Sequence, residues 1–204
     1  MIKKIHYTSG LILTTFISIH LFNHLYSLAG AGKHIMVMNA LRHVYRNVFV
    51  ETLLLFAISI QIISGIKLFI NKREEVSNFF EKLQIWSGLY MAFFLILHLG
   101  AVIGGRYYLH LDTNFYYGVA GLNTFPFNLF FIPYYGLAIV AVFTHIASIH
   151  NRKMKVDFLG LTPVDQSRVI LILGFLVTFV TFYGLTDHFN GVIIPKEYEV
   201  LVGK

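Results

Sequence analysis

Residues 85–104 read IWSGLYMAFFLILHLGAVIG, twenty positions that carry no charge and hold one histidine, His98. An α-helix rises about 1.5 Å per residue, so a run of this length spans roughly the 30 Å of hydrocarbon in a bilayer. A stretch this long and this apolar is read as a membrane-crossing helix. Working outward along the chain, comparable runs lie at about 10–28 and 48–70 before it and at about 129–149 and 169–186 after it. The connections are short, and no Ser/Gly-rich or Pro-rich linker interrupts them, which predicts one domain over residues 1–204. The expected fold is an all-α integral membrane protein, a bundle of five transmembrane helices.

Composition agrees. The 204 residues are 56% hydrophobic and only 13% charged, about half the charge content of a soluble domain. Mean hydropathy is +0.68. The net charge of +6 is unaccompanied by any nucleic-acid-binding motif, so it reads as membrane topology and attraction to lipid headgroups. With the N-terminus inside, ten basic residues fall on the inner side: Lys3, Lys4, Lys67, Lys72, Arg73, Lys82, Arg152, Lys153, Lys155 and Arg168. Six fall outside: Lys33, Arg42, Arg46, Arg106, Lys196 and Lys204. The positive-inside rule therefore predicts an inside N-terminus. A multi-pass location in the bacterial cytoplasmic membrane is a separate expectation. The first apolar run is too long for a signal-peptide core and lacks a small-residue cleavage pattern, so it is expected to stay as a helix. The chain contains no cysteine, which excludes disulfides, thiolate ligation, iron–sulfur clusters held by this chain and covalent haem attachment.

Histidine is then the residue able to hold iron. His20, His98 and His145 lie in the first, third and fourth apolar runs, where a polar side chain is costly and usually functional. Counting from the inner ends, His20 and His98 reach similar depths slightly outside the midplane, while His145 lies in the inner half. Two imidazoles at one depth suit bis-histidine ligation of haem b. His24 stands one turn beyond His20 on the same face, so either residue can supply the first-helix ligand. Small residues make room for a flat macrocycle. Gly88 shares a stripe with Met91, Leu95 and His98, and Tyr134, Ala138, Ala141 and His145 form a second one. In the second run, Ala57, Gln61 and Gly65 recur at four-residue spacing, and Gln61 is expected near the depth of His145, able to bond its imidazole, a water or a quinone carbonyl. Pro133 is expected in the first turn of the fourth helix.

Two outer loops, about 29–47 and 105–128, can cover the outer site. The first carries His34, Arg42, His43 and Arg46, and the second is rich in tyrosine and carries Arg106. Arg42, Arg46 and Arg106 are candidate partners for haem propionates, or for lipid phosphates, through two-pronged guanidinium contacts. His43 is a further cofactor-binding candidate. His34, His43 and His110 read as spare surface histidines.

These residues resemble the membrane anchor of the succinate:quinone oxidoreductase and fumarate reductase family, in its single-chain, five-helix, dihaem cytochrome b form. Ser9-Gly10-Leu11-Ile12-Leu13 followed by His20-Leu21 is similar to that family's opening helix; His98 within Leu95-Ile96-Leu97-His98 matches the third-helix ligand, and His145 within Phe143-Thr144-His145 the fourth. The second-helix ligand position falls on Gln61, four residues before Gly65. The resemblance therefore implies an outer haem held by His20 and His98, and an inner site that keeps His145 alone. It further implies exchange of electrons with a quinone, and docking of cytoplasmic flavoprotein and iron–sulfur subunits on the inner loops. The expected function is that of an electron-transfer subunit rather than a complete enzyme. The alternatives are a stand-alone haem-binding membrane protein without quinone turnover, and a histidine-ligated non-haem iron enzyme acting on lipid.

Overall fold

The computed structural model describes all 204 residues and contains helices only, apart from one isolated bridge between Phe158 and Leu161. Helix α1 covers Ile2–Leu25 and runs through a 3-10 turn, Tyr26–Ala29, to α2 at Ala31–Tyr45. Four further long helices follow: α3 at Val48–Lys72, α4 at Phe79–Tyr107, α6 at Asn128–Lys153 and α7 at Pro163–Leu185. Short α5, Phe115–Val119, and a closing 3-10 segment, Lys196–Val202, complete the chain. Helices α1 (with its 3-10 turn), α3, α4, α6 and α7 are long and apolar enough to cross a membrane.

The ends of these helices are chemically marked. Asn47 accepts from the amide of Phe49, Asn78 from that of Glu81 and Thr162 from that of Asp165, each satisfying a donor the first turn leaves free. Glu51, Glu81 and Asp165 sit in those first turns, where the helix dipole favours negative charge. Because caps and charged turns can extend beyond the apolar runs, α4 and α6 are longer than hydropathy predicts. Pro133 accordingly lies inside α6 rather than in its first turn. Hydroxyls facing lipid are satisfied within their own helices: Thr14, Ser18 and Ser59 bond the carbonyls of Gly10, Thr14 and Leu55.

The membrane helices pack around a ring in the order α1, α3, α4, α6, α7 and back to α1. Between α1 and α3, Leu13, Ala57 and Ile58 form an apolar cluster backed by Leu95 and Leu99 of α4. Between α6 and α7, a Cβ added at Gly174 would fall 2.5 Å from the Cβ of Phe143, so glycine is what allows this approach. The outward faces are large and apolar: Phe56, Ile63, Ile172 and Phe175 are each more than 60% exposed. Lipid is the solvent that suits such a surface.

At the face opposite Met1 the connections build a cap rather than loose loops. The expected loop 29–47 is largely helix α2, because Gly30, at φ +90°, ends the 3-10 turn and lets the chain fold back. Arg42 pairs with Asp112 at 2.8 Å and donates to the carbonyl of Thr113 at 2.8 Å, while Arg46 donates to the Thr113 hydroxyl at 3.1 Å. Tyr198 is 1% exposed and donates to the carbonyl of Asp112. Asn123 joins the carbonyl of Leu185 to the amide of Val192. The cap thus ties α2, the segment after α4 and the C-terminal turn into one layer.

Candidate functional site

Under this cap α1 and α4 bring their histidines together. The rings of His20 and His98 face each other across the bundle interior with centroids 6.2 Å apart and planes inclined by 69°. Phe16 stacks on His20 and Phe94 on His98, steadying both rings from within their own helices. Both histidines are half-buried. His24 lies beside His20, its Nε2 3.1 Å from the Nε2 of His20. One turn of helix separates them, and both nitrogens therefore reach the same point.

The fourth member is His34, which corrects the expectation of a surface histidine. It is 2% exposed, because α2 folds back over α1 and the short helix α5 closes over it with Phe115 at a centroid distance of 5.2 Å. Its Nε2 lies 3.3 Å from Nδ1 of His24 and 3.2 Å from the amide nitrogen of Asn23, itself 5% exposed. Burial, together with the nearby His20 and Arg42, pushes the pKa of His34 down to about 4, so its ring is neutral. Asn23 Oδ1 and His34 Nδ1 are buried without a partner in the protein. The sequence signal that could have found this group is Asn23 beside His24, followed by a histidine ten residues after His24 across a glycine turn.

His145 stands apart from this cluster. Its Nδ1 lies 3.0 Å from the carbonyl of Gln84 and 3.3 Å from the Ser87 hydroxyl, both on α4. Gly88 faces His145, not His98: a Cβ there would come 3.2 Å from the imidazole Cε1. Buried Tyr134, Ala138 and Ala141 continue the stripe that leads to His145. Gln61 is turned toward α1, where Ser9 donates to its Oε1 at 3.1 Å and Gly10 leaves space for its amide. One turn further, Ser64 meets Nδ1 of His6 at 2.8 Å. Thus Gln61 belongs to an α1–α3 polar contact rather than to the surroundings of His145.

The candidate arginines occupy the cap. Arg42 and Arg46 line, with Asn39, His43 and Asn47, an open polar depression of about 560 Å³. Burial and the neighbouring Arg42 and Arg106 lower the pKa of Arg46. Arg106 is engaged by Glu51 of α3. His43 and His110 are exposed. No three of the histidine and carboxylate side chains converge with the geometry of a single-ion site; a haem needs only one or two protein ligands to its iron. Compared with protein-family models, curated proteins and solved structures, the chain matches none.

Proposed function

We propose that this protein is a membrane cytochrome b that holds haem between His20 and His98 and exchanges electrons with a quinone. The observation that carries the reading is the 6.2 Å between the two ring centroids. Two imidazoles this close, from facing helices, would be able to hold one iron between them. The haem, when bound, supplies one-electron redox chemistry. The chain would supply two imidazole nitrogens, with Phe16 stacked on one ring and Phe94 on the other.

Arg42 and Arg46 line the polar depression of the cap and are the candidate partners there for acidic groups. His145 is a further candidate iron ligand at the other end of the bundle, held by α4 and lacking an opposed imidazole among its hydrogen-bonded neighbours. Service as the membrane anchor of a succinate dehydrogenase or fumarate reductase-like complex in a bacterial cytoplasmic membrane, with flavoprotein and iron–sulfur partners, belongs to the same proposal and rests on the sequence resemblance.

The test is the absorption spectrum of the purified native protein together with a pyridine haemochrome measurement of the haem-to-protein ratio, repeated for His98→Ala and His145→Ala. His98→Ala is expected to abolish the low-spin spectrum and His145→Ala to leave most of it. A correctly folded, colourless protein from haem-replete cells refutes the proposal. Reduction of the bound haem by a quinol tests the quinone half separately.

A further inference from the structure

We propose that the open depression at the junction of α2 and α3 is a binding site for a phosphate group carried by a membrane lipid headgroup. Such a lipid is the acidic group that the arginines of the cap would meet, and its binding does not depend on whether the chain holds haem.

Asn39, Arg42, His43 and Arg46 follow one another at spacings of three, one and three residues, which puts them on one face of α2. Asn47, the N-cap of α3, completes the lining, so every residue around this space of about 560 Å³ is polar and none is acidic. The volume lies in the range of sites that hold whole ligands. The acceptors of the two asparagines are already taken. The Phe49 amide donates to Asn47 Oδ1 at 3.1 Å, and Arg42 donates to Asn39 Oδ1 at 3.4 Å. Backbone amides and guanidinium nitrogens only donate, so each asparagine gives its oxygen to the protein and keeps its Nδ2 donors in reserve. Arg42 is committed to Asp112, Asn39 and Thr113. Arg46 makes one side-chain hydrogen bond, to the Thr113 hydroxyl, and its buried Nε has no partner. The depression therefore offers donors, and a ligand must bring acceptor oxygens.

The charge count agrees. Arg42 and Arg46 lie 2.8 and 3.8 Å from the same carboxylate oxygen, Asp112 Oδ1, so two cations share one anion, while Arg106 is matched by Glu51. Burial, then the positive charges of Arg42 and Arg106, lower the pKa of Arg46 in spite of Asp112. One positive charge is left over for an anion. Position decides between anions. With 25 residues, α3 is about 38 Å long, more than the roughly 30 Å of hydrocarbon, so its ends reach the headgroup layer. Val44, Val48 and Phe49, beside the lining residues in sequence, are apolar and exposed. A lipid brings phosphate oxygens and hydrocarbon together and suits both parts of this surface, whereas a free anion meets only the first.

The experiment measures binding of the first lipid to detergent-purified protein by native mass spectrometry, with phosphatidylglycerol and with diacylglycerol, which lacks the phosphate. Phosphatidylglycerol is expected to bind and diacylglycerol not. Arg46→Gln is expected to weaken phosphatidylglycerol binding about ten-fold or more, the scale of a lost charge-assisted contact. Asn39→Asp, at an exposed position, replaces donors by a negative charge and is expected to do the same. Lys33→Gln, an exposed position of α2 outside the depression, is expected to stay within about two-fold of the parent. Equal losses in Arg46→Gln and Lys33→Gln mean diffuse attraction to a basic face and overturn the inference, and so does equal binding of the two lipids. Inorganic phosphate that displaces phosphatidylglycerol at equal concentration assigns the site to a free anion and overturns the lipid assignment. A haem-to-protein ratio that falls in Arg46→Gln while lipid binding is unchanged assigns the arginine to a haem propionate and overturns it too. Should Arg46→Gln fail to fold, Asn39→Asp decides. A wild-type protein that binds the lipid but no haem refutes the cytochrome reading and leaves this inference standing.

Discussion

Replacing Gly88 with alanine sets two effects of similar size against each other, and the structure says which wins. Alanine in a helix interior is favoured over glycine by about 1 kcal/mol. At Gly88 the new Cβ would stand 3.2 Å from Cε1 and 3.5 Å from Nδ1 of His145. Carbon atoms rest at about 3.5–4.0 Å, so the ring must retreat by a few tenths of an ångström. The retreat falls on hydrogen bonds to Gln84 and Ser87, of which the second is already long at 3.3 Å. Losing it costs about 1 kcal/mol, and forcing the ring off its rotamer about 0.5–1.5 kcal/mol more. Gly88→Ala is therefore expected to be destabilising by about 1 kcal/mol net. Gly100→Ala, in the same helix with nothing within 4 Å of the added atom, is expected to be neutral or stabilising by up to about 1 kcal/mol. Gly88→Val adds a branch to the same contact and is expected to cost a further 1–3 kcal/mol. Thermal unfolding of the three variants in one detergent or nanodisc preparation ranks them. If Gly88→Ala unfolds at or above the temperature of Gly100→Ala, the close approach of α4 to His145 is refuted.

The cap yields further expectations. Arg42→Ala removes a guanidinium whose side chain is 10% exposed from an Asp112 that is 48% exposed; because the carboxylate keeps its water, the expected loss is about 1–2 kcal/mol rather than the larger cost of a fully buried pair. Arg42→Lys restores little of it, since one ammonium cannot meet both Asp112 and the carbonyl of Thr113; chemical unfolding of the two variants reads the difference. Burial and the charges of Glu197 and Asp112 push the Tyr198 phenol up to about 12. Its neutral form is favoured in the folded chain, so stability is present below the unfolded value near 10 and is lost as pH rises from about 10 toward 12. Melting temperatures across that window should fall more steeply for the wild type than for Tyr198→Phe, and equal slopes would count against the burial of this ring.

Five membrane-length helices follow from one-dimensional quantities, the length and hydropathy of each run, and these survive folding because the bilayer acts on each helix separately. The pairing of His20 with His24 is equally local, set by four residues of helical rise. What the tertiary structure alone decided is which imidazoles meet. His34 lies in a polar stretch that reads as an exposed loop, and only the reversal at Gly30 and the covering by Phe115 bury it against His24. Gly88, three turns before His98 on the same stripe, serves His145 because α6 crosses α4 there, and Gln61 turns to Ser9 because α1 and α3 are neighbours in the ring. Arg106 meets Glu51 for the same kind of reason. Helix formation in a membrane is dictated by hydrocarbon thickness and backbone hydrogen bonding, whereas the meeting of side chains from different helices depends on the order of packing around the ring, to which hydropathy is blind.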